Sequence, residues 1–149
     1  MRSMIFVAAC VGSVAVSSAQ ASETLRPMIA RHAAANHVPA ALADAIVRIE
    51  SRYQPRARNG ANLGLTQISH RTARGIGYGG SAAGLFDADT NLRYGIKYLA
   101  MAYRKAGGDT CRTVMYYQSG LYARSMNGAN RTYCGKVRAI LGGRGLRAS

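Results

Sequence analysis

Pro39-Ala40-Ala41-Leu42-Ala43-Asp44-Ala45-Ile46-Val47-Arg48-Ile49-Glu50-Ser51-Arg52-Tyr53 places Leu42, Ile46, Ile49, Glu50 and Tyr53 at helical spacing on one face. Pro39 suits the opening of that helix, which is expected to run to about Tyr53. Working outward, the same period returns in both directions. Thr24 to Asn36 is Ala-rich, with Pro27 acceptable in a first turn. A short helix is expected from about Ile68 to Arg74. Asp87 or Asp89 can cap a long helix to about Ala106, stopped by Gly107-Gly108, with Leu92, Ile96, Leu99 and Tyr103 as its buried stripe. Asp109 or Thr110 can cap another helix through Gln118, ended by Gly120. A last helix, from about Arg131 to Leu141, would bury Tyr133, Val137 and Ile140. No segment alternates with period 2, and neither a repeat nor a linker interrupts the chain. The expectation is an all-α, compact single domain of about six helices. Residues 75–86, Gly-rich with Tyr78, Leu85 and Phe86, read as an ordered loop, either a connector or a substrate-facing segment.

Residues 1–21 stand apart. Arg2, the apolar run from Met4 to Val16 and the close Ala19-Gln20-Ala21 have the form of a secretory signal cleaved after Ala21. A membrane anchor needs roughly 20 apolar residues, and this run is shorter and broken by Gly12 and Ser13. A lipid-modified cysteine at Cys10 fits poorly, because the apolar run continues past it. The domain is therefore expected at 22–149, with 142–149 a frayed tail, in a periplasmic or secreted protein. Export leaves Cys111 and Cys134, which read as one disulfide in an oxidising compartment; the alternative is two free buried thiols. No His spacing suggests a zinc site with them. Without Arg2 the chain carries 19 Lys+Arg against 6 acidic residues, a net charge of +13. That balance favours polyanionic partners. Its scattered basic residues come with no nucleic-acid-binding motif. Wall glycan with its peptide carboxylates, anionic envelope polymers or a membrane surface suit an exported protein better than nucleic acid.

The chain has only two glutamates, Glu23 and Glu50. Glu50 lies on the apolar face of its helix, where an unpaired carboxylate is costly. Burial there should raise its pKa toward neutrality, as a general acid for a glycosidic oxygen requires. The alternative is a structural ion pair with a nearby basic residue.

Downstream the chain reads Glu50-Ser51-Arg52-Tyr53-Gln54-Pro55-Arg56-Ala57, then Gly64-Leu65-Thr66-Gln67-Ile68, then Asn91-Leu92-Arg93-Tyr94-Gly95-Ile96-Lys97-Tyr98-Leu99, then Tyr116-Tyr117-Gln118-Ser119-Gly120, then Arg131-Thr132-Tyr133-Cys134. Five blocks in this order, across about residues 25–141, resemble the catalytic domain of the soluble lytic transglycosylase family, with its goose-lysozyme-like fold. The resemblance implies that Glu50 is the catalytic acid/base. It implies that Gln67 and the backbone of the turn formed by Gly64, Leu65, Thr66, Gln67 and Ile68 contact the sugar. Tyr117 would line the glycan groove, and Tyr133 would hydrogen-bond the catalytic carboxyl; read without the resemblance, either tyrosine is as well explained as a core aromatic. Three departures bear on substrate contacts. Thr66 stands where the family usually has methionine, Gln118 where it has asparagine, and the 59–63 loop differs in length, with Asn59 nearest to the usual serine.

An ordinary glycosidase uses two carboxyl groups about 5–10 Å apart. Asp44 lies about 9 Å along the helix from Glu50 on a different face, and Asp87, Asp89 and Asp109 sit at expected helix caps. One carboxyl suffices if the substrate supplies its own nucleophile. The resemblance implies that reaction: cleavage between N-acetylmuramic acid and N-acetylglucosamine with closure to a 1,6-anhydro product, without metal or organic cofactor. The expected role is wall remodelling or service to an envelope machine such as a secretion apparatus, by a monomer with no membrane-spanning segment once the signal is removed. A lysozyme-like hydrolase, a wall-binding protein without turnover and a basic membrane-disrupting protein are the competing functions.

Overall fold

The structure, a computed structural model, describes residues 18–145. Most of the expected leader and the last four residues lie outside that range. Among the described residues there are six α-helices and one small sheet: α1 Ser18–Ala35, α2 Ala40–Ser51, β1 Arg58–Asn59, β2 Asn62–Leu63, β3 Ile68–Ser69, α3 His70–Gly75, α4 Ala88–Lys105, α5 Thr110–Ser119 and α6 Gly128–Gly145. A 3-10 turn at Ala83–Phe86 leads into α4. No helix among them is long and apolar enough to cross a membrane.

α4 packs against α1 and α5, and α6 closes the bundle against α2 and α5. The expected stripes meet there: Leu42 and Ile46 of α2, Leu92, Ile96 and Leu99 of α4, and Val137 of α6 are almost fully buried, with Ile29 and Val114. Tyr103 and Ile140 pack at the margin of this core. A second, smaller cluster of Leu63, Ile68, Ala73 and Leu85 fills the space beneath the sheet. Leu85 and the half-buried Tyr78 and Phe86 thus tie the 75–86 segment down.

The caps come from side chains. Asp87 accepts from the Thr90 amide at the start of α4, and Asp109 from the Arg112 amide at the start of α5. Ser69 caps α3 by accepting from the Thr72 amide, so that helix begins at His70, slightly later than expected. Cys111 of α5 and Cys134 of α6 form a disulfide, 23 residues apart in sequence.

Three expectations change. α1 begins at Ser18, so Pro27 sits inside the helix rather than in its first turn. The added turn is braced by hydroxyl bonds from Ser22 to the Ala19 carbonyl and from Thr24 to the Gln20 carbonyl, while Leu25 is buried in the core. The expected 59–63 loop, and Ile68–Ser69 at the expected start of a helix, belong instead to an antiparallel sheet pairing Arg58 with Leu63, Asn59 with Asn62, and Leu63 with Ile68. Two-residue strands are too short to show any alternation. Finally, α6 starts at Gly128, ahead of the expected Arg131, because Asn127 and Asn130 cap it reciprocally. Each side-chain oxygen accepts from the other's backbone amide, at 3.1 and 2.9 Å, the pattern of a capping box. The same helix continues to Gly145, past the position where a tail was expected.

Candidate active site

Glu50 is the penultimate residue of α2. The helix stops just beyond it: Ser51 turns its hydroxyl back to the Val47 carbonyl at 3.0 Å, and Arg52 and Tyr53 take left-handed backbone conformations. That reversal buries the Tyr53 ring and sends its hydroxyl to both oxygens of Asp44, at 3.1 and 3.0 Å. Asp44, 4 % exposed, is thus the more deeply buried carboxylate of α2, and Arg26 lies 3.8 Å from it. Pattern singled out Glu50 and set Asp44 aside on another face, because the hydroxyl that receives it lies nine residues on and beyond the end of the helix.

The next wall is the turn joining β2 to β3. Gly64, at φ +72°, needs a glycine twice over, since a Cβ there would collide with the Asn91 side chain. Asn91 of α4, fully buried, holds the turn with all its bonding capacity. Its amide donates to the carbonyls of Leu63 and Leu85, at 2.8 and 2.7 Å. Its oxygen accepts from the Thr66 amide at 2.9 Å and the Thr66 hydroxyl at 2.7 Å. One helical turn on, Gly95 leaves the room that the Thr66 side chain occupies. The hydroxyl of Thr66 is therefore satisfied by Asn91 inside the protein. Thr66 and Leu65 are buried, and with Gly64 they support the cleft without lining it. Gln67, in a left-handed conformation, does line it, and its amide nitrogen donates to the carbonyls of Ala57 and Gly64.

Helices α4, α5 and α6 supply the aromatic side. Tyr117 donates to the Thr66 carbonyl at 2.6 Å, and its ring lies 5.6 Å from that of Tyr98. Tyr133 donates to Glu50 Oε1 at 2.5 Å. Gln118 lines the cleft as well. Its oxygen accepts from the amide of the buried Asn130, which also donates to the Ser119 hydroxyl.

These elements enclose a cleft of about 760 Å³. Among the described residues that line it, Glu50 is the one carboxylate; Asn59, Asn62, Ser69 and Thr72 add polar groups, and Lys136 a cation. Burial pushes the Glu50 carboxyl above its ordinary pKa, partly offset by the Tyr133 hydrogen bond. Burial and the nearby Glu50 charge raise both Tyr133 and Tyr117, which keeps their hydroxyls protonated donors. Among the described residues no group of three or more His, Cys, Asp or Glu could hold a metal ion.

Glu50, Gln67, Tyr117, Gln118 and Tyr133 therefore converge on one cleft. Composition and periodicity missed Asn91, Asn130 and Tyr98. Asn91 and Tyr98 have a signal only in the Asn91–Leu99 block; Asn130 has none beyond its place as a cap.

Residues 27–135 match the family described as the transglycosylase SLT domain. The 70 kDa soluble lytic transglycosylase from Escherichia coli superposes with a TM-score of 0.61 at 25% identity, over 81% of this chain and 20% of that one. A complex of the 70 kDa enzyme with bulgecin A gives 0.62, with the same identity and coverage. An inactive mutant of lytic transglycosylase Slt from Pseudomonas aeruginosa gives 0.71 at 22% identity, over 87% of this chain and 25% of that one. The chain thus spans a quarter or less of the length of these structures, and the shared fold is the lysozyme-like one.

Proposed function

Because this chain belongs to the transglycosylase SLT domain family, we propose that it is an exported peptidoglycan lytic transglycosylase acting through Glu50. The observation that carries the proposal is a single, half-buried carboxyl with a raised pKa, facing a cleft whose lining, among the described residues, holds no second carboxylate. Two-carboxyl hydrolysis, inverting or retaining, calls for a second carboxyl, and none is among the described residues that line this cleft. In the proposed reaction Tyr133 holds Oε1, so the acidic proton sits on Oε2. Glu50 passes it to the oxygen linking N-acetylmuramic acid to N-acetylglucosamine as the C1–O bond breaks. The resulting carboxylate then takes the proton from the muramoyl C6 hydroxyl, whose oxygen closes onto C1. One C–O bond breaks, one forms, and no water is consumed. Gln67, Tyr117 and Gln118 serve as sugar contacts, while Thr66, Leu65 and Gly64 act through the backbone they position. No cofactor takes part in these steps. The Cys111–Cys134 disulfide supports a periplasmic or secreted location, where such a bond persists.

Mass spectrometry of peptidoglycan digested by the purified protein tests this. Anhydromuropeptides are expected, and hydrated reducing ends would instead identify a hydrolase. Glu50→Gln should lower kcat by about 10²-fold or more. An unchanged rate in that variant would remove the carboxyl from the mechanism.

A further inference from the structure

The cap of α6 uses only part of Asn130. Its side-chain oxygen accepts from the Asn127 amide at 3.1 Å, and its backbone amide donates to the Asn127 side chain at 2.9 Å. The side-chain nitrogen reaches elsewhere, donating to the Gln118 oxygen at 2.6 Å and to the Ser119 hydroxyl at 2.8 Å. Gln118 and Ser119 are exposed and line the cleft, whereas Asn130 is fully buried and lies outside the lining. A backbone N–H can only donate, so the Asn127 amide fixes which end of the Asn130 side chain is oxygen. The nitrogen end in turn fixes Gln118: its oxygen is taken, and its NH2 is left to donate. The Ser119 oxygen accepts in the same way, which leaves its hydrogen to donate. Among the described residues no protein acceptor takes up these hydrogens. Gln67, on the other wall, is set the opposite way. Its nitrogen donates to the carbonyls of Ala57 and Gly64, so its oxygen is the group it can offer.

We propose that Asn130 is a positioning residue that makes Gln118 and Ser119 a donor pair selecting an acceptor-only acyl oxygen of the glycan; the proposal rests on the function assigned above. A sugar hydroxyl can turn to donate or to accept, so it meets either polarity equally well. An acyl oxygen can only accept, and a wall that offers only donors discriminates in its favour. The glycan carries two such groups, the acetamido carbonyl of each sugar and the lactyl carboxyl of N-acetylmuramic acid. A role confined to capping α6 accounts for the Asn130 oxygen but not for its nitrogen, whose two bonds both end on residues that line the cleft.

The test measures binding of peptide-free glycan strands by the Glu50→Gln protein, alone and with a second substitution. Asn130→Asp keeps the oxygen that caps α6 but replaces the donor facing Gln118 by an acceptor, so Gln118 must turn its NH2 inward and its oxygen to the cleft. Gln118→Glu removes the donor directly, at an exposed position where folding is not at stake. Each should weaken strand binding about tenfold or more, because acceptor then meets acceptor. Added to Gln118→Ala, Asn130→Asp should cost less than about threefold further, since the group it acts through is gone. A merely structural Asn130 would instead cost the same in both backgrounds. An equal loss for N-acetylglucosamine hexamers, with none for glucose hexamers, assigns the contact to the acetamido carbonyl; a loss confined to the strands assigns it to the lactyl carboxyl. Unchanged strand binding in either single substitution, or an Asn130→Asp loss that persists in full without Gln118, would overturn the proposal. Binding requires no turnover, and the products of the parent protein are scored separately, so a failure of the assigned reaction is not mistaken for a failure of the donor pair.

Discussion

Two opposed contacts set the proton affinity of Glu50: burial raises it, and the Tyr133 hydroxyl lowers it by favouring the carboxylate. Tyr133→Phe removes the lowering contact, so the Glu50 pKa should rise further. Under the proposed reaction, the alkaline limb of the kcat profile, where the acid form is lost, should then move to higher pH. The maximal rate should fall about tenfold or more because one carboxyl oxygen is no longer held. A pH–rate series on the variant checks both. Stability carries the same sign. A carboxyl whose folded pKa lies above its unfolded value contributes most below about pH 4.3, and that contribution is lost as pH rises through the folded pKa. Glu50→Gln should thus match the parent in Tm near pH 4 and exceed it near pH 7.5. Thermal melts across that range decide it. Glu50 was legible as a residue from its place on an apolar helix face. Its hydroxyl partner was legible only through the resemblance, because 83 residues separate them.

At the scale of elements, the site depends on α4 gripping the β2–β3 turn. Asn91→Ala would strand two carbonyls and the Thr66 donors in a buried place. The expected loss is about 2–4 kcal/mol of unfolding free energy, measured by urea denaturation. A loss within about 0.5 kcal/mol would show that the knot contributes little. The same knot explains a departure in the sequence: Thr66 exchanges an apolar contact for a hydroxyl, and Asn91 receives it. The helices were legible because their stripes repeat over several turns. The sheet was not, since its strands hold two residues each and the turn after β2 is held by Asn91 from α4.

For the molecule as a whole, the Cys111–Cys134 bond joins α5 to α6, and Tyr133 precedes one of its cysteines. Reduction should cost about 3 kcal/mol through the freed loop and lower Tm by about 8–15 °C. It should also loosen the helix that carries the Glu50 partner. Calorimetry with and without reductant, beside a rate measured at a temperature where the reduced protein remains folded, separates lost stability from lost positioning. An unchanged Tm would mean that packing alone holds α6 in place.

Local information in the chain determined what each segment becomes: helices from apolar repeats, ends from Asp, Ser and Gly, and one acidic residue at odds with its greasy neighbours. Only the tertiary structure decided which side chains meet. Tyr133 reaches Glu50, Asn91 fills with the backbone of a distant turn, and Asp44 disappears beneath Tyr53. Periodicity reports neighbours within about a turn, whereas these contacts join helices far apart in sequence, through packing that no short window contains.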